Sequence, residues 1–124
     1  MINKKEFNER FLELSFLKDG WLDGNGFAIS NKSIDTAKKF IQNIEDAHFI
    51  YPLAFPEYNG GIILEWFNQY IAISLEIDNG GNLLILSAYD FAHKKDFNCT
   101  TTVDETNEIN RMLRECLQFL KNIH

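Results

Sequence analysis

Between Phe40 and His93 the chain has not one Lys or Arg, while the same stretch carries seven acids: Glu45, Asp46, Glu57, Glu65, Glu76, Asp78 and Asp90. All 12 basic residues lie outside it with the other 11 acids, so the rest of the chain sums to +1 and the net charge of −6 originates in this one block. The acidic balance of the whole chain counts against nucleic-acid binding, which needs a basic surface to displace counterions. It has no polybasic or basic amphipathic segment for a membrane surface. No apolar run approaches the ~20 residues that span a bilayer. The charged start, Met1 to Arg10, does not read as a signal peptide. Cysteine is scarce: Cys99 falls in an expected strand and Cys116 on the apolar face of an expected helix. Free, buried thiols and a cytoplasmic home are expected from that placement.

Chemistry-bearing patterns are missing too. None of His48, His93 and His124 stands at a metal-ligand spacing from Cys, Asp or another His. Nucleophile elbows, phosphate loops and zinc signatures are absent, and Ser74 and Ser87 have no histidine expected nearby. The segment Asp19 to Ser30 faintly resembles a calcium loop. It puts Trp21 where a third-position ligand is required and Ser30 where the bidentate Glu belongs. Glu65 and Glu76 could form a carboxylate pair for glycoside chemistry, but an exposed sheet face is a poor catalytic cleft. The expectation is a protein that is not an enzyme and holds no metal or cofactor.

What is present is a core. Hydrophobic residues make up 45% of the chain and aromatics 14%, enough for one domain over residues 1–124. Phe7, Phe11 and Leu14, widened by Leu12 and Phe16, predict a helix over 4–17 ended by Gly20. Trp21, in the glycine-rich loop that follows, is expected to plug the core. Ser30 is an N-cap for a second helix that runs to about Ile44 or Asp46, with Ile34, Ala37, Phe40, Ile41 and Ile44 inward. Asn59-Gly60 marks a hairpin between strands near 53–57 and 61–67. Pro52 and Pro56 make the first of these an edge strand or an irregular one, because a proline cannot donate to the ladder. Turns at Asn68-Gln69 and Asn79-Gly80 lead to strands over 70–77 and 82–89, and a fifth spans 97–102. Thr102 to Glu105 fits a capping box for a last helix bearing Ile109, Met112, Leu113, Cys116, Leu120 and Ile123. The fold class is α+β: a meandering antiparallel sheet of four to five strands, two N-terminal helices and one C-terminal helix.

Alternation then sorts the strands onto two faces. With Phe67 opposite Tyr70 and Ile77 opposite Asn82, one face holds Ile62, Leu64, Trp66, Ile71, Ile73, Leu75, Ile77, Leu84, Leu86 and Ala88. The other mixes Glu65, Glu76, Ser74 and Ser87 with Phe67, Tyr70 and Tyr89. Asp78 and Asp90 lie at its strand ends. These seven residues, Glu65, Phe67, Tyr70, Glu76, Asp78, Tyr89 and Asp90, form the candidate partner-binding surface, because aromatics supply contact area and unneutralised acids attract cations.

Two stretches carry a resemblance. Gly20-Trp21-Leu22-Asp23-Gly24-Asn25-Gly26-Phe27-Ala28-Ile29-Ser30 and Gly60-Gly61-Ile62-Ile63-Leu64-Glu65-Trp66 together resemble a group of small bacterial proteins. That group has a Gly-Trp-Asp-Gly-x-Gly-Ala loop and a Gly-x-Ile-x-Leu-Glu-Trp strand. Leu22 and Phe27 depart from that loop pattern. The resemblance spans residues 20–77 and implies an immunity or antitoxin-type protein from a toxin-linked locus, such as one of contact-dependent growth inhibition. The expected partner is a positively charged toxin domain, a basic nuclease, bound by a monomer in a heterodimer. The other expectation is a small-ligand or regulatory module with a pocket near Trp21 and Trp66.

Overall fold

The computed structural model describes residues 2–122; Ile123 of the expected helical stripe and His124 lie outside them. Asn3 opens α1 (Lys4–Ser15) through a capping box: its side chain accepts from the Glu6 amide at 2.8 Å, and Glu6 Oε1 accepts from the Asn3 amide at 3.3 Å. Phe7, Phe11 and Leu14 are buried as expected, whereas Leu12 (60%) and Phe16 (72%) face solvent, so the apolar stripe is narrower than the sequence implied. Phe16 rather than Gly20 ends the helix, donating to Glu13 O and Leu14 O. Gly20 belongs to the next loop, where its amide donates to Gly26 O at 2.8 Å.

Ser30 caps α2 (Asn31–Ile44) by accepting from the Ser33 amide at 3.0 Å, and its hydroxyl donates to Asn79 O. All five expected core positions of α2 are buried. Five strands follow in a simple meander: β1 (Leu53–Pro56), β2 (Ile62–Phe67), β3 (Ile71–Ile77), β4 (Leu83–Asp90) and β5 (Lys95–Thr102), each antiparallel to the next. The chain ends in α3 (Asn107–Asn122), which buries Ile109, Leu113, Leu117 and Leu120, with Met112 and Cys116 half-buried against the core. Thr102 is not its cap. The β-branched run Thr100-Thr101-Thr102 extends β5, Glu105 N donates to Thr102 O in a turn, and the helix begins five residues later.

The register is offset by two residues from the expected one. Phe67 pairs with Ala72 and Ile77 with Leu84. Side chains next to the turns cause the offset. Asn68 Oδ1 accepts from the amides of Tyr70 and Ile71 (2.7 and 2.9 Å), which moves the first turn one residue along. Asp78 Oδ1 does the same for Asn82 and Leu83 (2.9 and 3.0 Å). Gly81 (φ 68°) completes that turn against α2, where an added Cβ would stand 2.4 Å from Lys32 O. A two-residue offset preserves side-chain facing because the strand period is two.

All ten residues of the expected core face are buried, in one cluster with the buried faces of α1, α2 and α3. The molecule is therefore two-layered: sheet below, three helices on one side of it. Leu75, fully buried on the central strand, sits in the middle of this contact. Leu75→Ala is expected to lower unfolding free energy by ~2–5 kcal/mol, the cost of lost transfer energy plus a residual cavity. Urea denaturation measures it, and a loss well under ~1 kcal/mol would mean that the two layers are not tightly packed.

Candidate partner-binding surface

The sheet face opposite the helices carries its side chains in three main rows read across the strands. The first is Phe67, Ala72, Tyr89 and Asp96; the second Leu53, Glu65, Ser74, Ser87 and Asn98; the third Phe55, Ile63, Glu76, Ile85 and Thr100. Small residues at the centre, Ala72, Ser74 and Ser87, lie between larger ones at the margins. The result is a shallow concavity of about 480 Å³ lined wholly by residues of β2 to β5. Among the described residues, none from a helix lines it.

Phe67 is 61% exposed at one margin. Tyr89 stands across the concavity and packs edge-on against Phe91, ring centroids 5.1 Å apart. Glu65 and Asp96 lie on opposite sides. No Lys or Arg occupies any strand position on this face. Among the described residues, Glu65, Glu76 and Asp96 make no salt bridge. Toward the β1–β2 hairpin, Glu57 approaches Glu76. Partial burial, and then the charge of Glu76, hold the Glu57 carboxyl above the usual carboxylate range.

Other acids of the base-free block serve the fold. Glu45 accepts from the Tyr51 hydroxyl at 2.5 Å and pairs with Lys4 Nζ at 3.2 Å. Burial, and then Glu45, push the Tyr51 hydroxyl up to about 12. Asp46 accepts from the His48 amide at 2.8 Å. Asp78 is committed to the β3–β4 turn. Asp90 is only 7% exposed and accepts from the amides of Ala92 and His93 (3.0 and 3.1 Å) and from His93 Nδ1 (2.7 Å). Burial alone would raise its pKa. The bonds and charge of His93, with the Ala92 amide, outweigh that and hold it below the usual range.

Of the seven expected surface residues, the structure brings Glu65, Phe67, Glu76 and Tyr89 onto one face. Tyr70 lies in the β2–β3 turn, half-buried, its carbonyl accepting from the Phe91 amide at 2.8 Å. Asp78 builds the β3–β4 turn. Asp90, the last residue of β4 and opposite Ile71, falls on the core side of the sheet, because β4 runs one residue further than expected and its alternation turns this carboxylate inward. Asp96 and Asn98 join the face without having been expected there. Lys94 and Lys95 closed the base-free block just short of Asp96, yet the two-residue alternation carried one strand further would have placed it.

The tryptophans are occupied by the protein itself. Trp66 is 2% exposed, with Nε1 donating to Ile50 O at 2.7 Å. Trp21 does not plug the core. Its indole donates to Phe27 O at 2.7 Å and lies over Gly26, where an added Cβ would meet the ring at 2.9 Å. Among the described residues, no group of three or more His, Cys, Asp or Glu is placed to hold a metal ion, and no helix is long and apolar enough to cross a membrane. Comparison of the chain with protein families, curated proteins and solved structures finds no match.

A carboxyl whose pKa is raised by folding takes up its proton more readily in the native state, so stability falls as pH rises through the interval between the ordinary and the raised value. Glu57→Gln is therefore expected to melt at a higher temperature than the parent near neutral pH. The difference should close as pH drops below glutamate's ordinary value of ~4.3, where Glu57 is protonated in both states. Thermal melts over a pH series test this, and a Gln variant less stable near neutrality would contradict it.

Proposed function

We propose that this chain is an immunity protein or antitoxin that binds and neutralises a bacterial toxin bearing a positively charged, nuclease-type domain, as the monomeric member of a heterodimer. The observation that carries this is the helix-free sheet face: acids at Glu65, Glu76 and Asp96, no base at any strand position, and Phe67 standing exposed beside them. An enzyme acting on nucleic acid presents a positive cleft to the phosphates it cuts. A stoichiometric inhibitor of such an enzyme gains from the opposite charge, which steers encounter, and from aromatic anchors, which slow release. Solvated acids without basic neighbours weaken the free protein slightly by mutual repulsion, and a cationic partner relieves that. The glycine-rich loop at 20–30 and the strand at 60–66, which resemble those of toxin-linked bacterial proteins, point the same way.

An inhibitor of this kind has to be made alongside its target, so the polypeptide encoded immediately upstream is the partner to test. Co-expression and co-purification are expected to yield a one-to-one complex whose association slows as salt is raised. The double variant Glu65→Lys/Glu76→Lys should slow association by roughly tenfold or more while its melting temperature holds. Stopped-flow mixing measures the rate. Salt-insensitive association, or a rate unchanged by the charge reversal, would refute this choice of face.

A further inference from the structure

The sheet has two outer edges, and they differ. At β1, Glu57 N donates to Gly61 O, which fixes the hydrogen-bonding phase of the β1–β2 pair. In an antiparallel pair the inward- and outward-facing residues alternate, so the outward positions of this edge are 52, 54 and 56. Two of them are Pro52 and Pro56, which have no N–H to offer. The carbonyl of the third, Ala54, accepts from Arg10 Nε at 3.0 Å. This edge is closed to strand pairing in the manner by which natural sheets guard their margins.

At β5 the same argument gives the opposite result. Val103 N donates to Asn82 O at 2.8 Å, in line with the β4–β5 register, so residues 95, 97, 99 and 101 bond toward β4. Asp96, Asn98, Thr100 and Thr102 then direct their N–H and C=O groups away from the sheet. Thr102 O is taken by the Glu105 amide. Asp96, Asn98 and Thr100 are exposed, and no proline interrupts the strand. These three also carry their side chains on the helix-free acidic face, and Asp96 and Asn98 line the concavity. Among the described residues nothing bonds to the outward backbone groups of Asp96, Asn98 and Thr100, so open backbone groups and the acidic face meet in the same residues.

We infer that β5 is a strand-addition edge, onto which an extended segment of the partner bearing Lys or Arg pairs with the outward backbone groups of Asp96, Asn98 and Thr100 while its basic side chains reach over the acidic face. This rests on the neutralising role proposed above and adds where the partner docks and in what conformation. Backbone pairing supplies affinity that is indifferent to side-chain identity, and alternate side chains supply selectivity. Charge selects the occupant. A second copy brings another chain of net charge −6 and another base-free face to this margin, whereas a cationic strand places its charge beside Asp96 and toward Glu65.

The test uses the full chain with the upstream-encoded polypeptide. Amide hydrogen exchange followed by NMR should show Asp96, Asn98 and Thr100 unprotected in the free chain and slowed by roughly tenfold or more in the complex. Thr100→Pro removes an outward donor without touching the β4–β5 ladder, and edge positions accept proline. It should keep its melting transition and weaken binding by roughly tenfold or more. If that variant does not fold, the exchange measurement decides alone. A complex weakened by Glu65→Lys/Glu76→Lys but leaving these three amides unprotected overturns the edge while the face stands. Absence of any complex overturns both. Protection of the same amides in the chain alone, together with dimerisation, assigns the edge to a second copy and overturns the cationic partner.

Discussion

The two-residue period of a β-strand divides this molecule. Along β2, β3 and β4 it sends ten apolar side chains, from Ile62 to Ala88, to one side, where all are buried, with Asp90 at the end of β4 the polar residue that joins them. The buried stripes of three helices close over it. Burial of apolar area is the dominant favourable term in folding, so the helical layer has one place to go, and the other side of the sheet is left to water. A slip of one residue between strands would turn a whole row of core side chains outward. The open face is thus a by-product of the core, and its composition is free to be set by something other than stability.

That freedom explains how its acids are distributed. Glu45, Asp46, Asp78 and Asp90 are tied to amides, a hydroxyl or an ion pair where helix and strand ends leave donors to satisfy. Among the described residues, Glu65, Glu76 and Asp96 make no such bond, and they lie on the open face. Glu57, half-buried near Glu76, holds its proton more tightly than usual, first because it is partly withdrawn from water and then because of the like charge of Glu76. Small residues in the middle of the face make room above it, and Phe67 and Tyr89 stand on either side.

Much of this was legible in the residues themselves. The buried positions of α1 and α2, the Asn59-Gly60 hairpin, the edge placement of the proline-bearing strand and the sorting of β2 to β4 all follow from periodicity and turn chemistry. What was not legible depends on side chains bonding to backbone at short range. The carboxamide of Asn68 and the carboxylate of Asp78 each capture two amides and shift a turn by one residue. The threonines at 100–102 can cap a helix or continue a strand, and pairing with β4 decides between the two. Trp21 could fill a core or a glycine-lined loop, and Gly26, lacking a Cβ, provides the nearer seat. Of the candidate surface, Glu65, Phe67, Glu76 and Tyr89 were placed by alternation; Tyr70 depended on a turn position that the sequence pattern does not fix, and Asp90, expected in a loop, extends β4 by one residue and so turns to the core side.

The closed margin at Ala54 has a bearing on how far any assembly could grow. Continuous cross-β growth needs two pairing edges per subunit, one to receive a strand and one to offer to the next. With Pro52, Pro56 and the Arg10–Ala54 bond on one side, this chain has a single valence. Whatever adds to β5 ends the series, so association through the sheet is bounded at one strand per molecule and cannot run on into a filament.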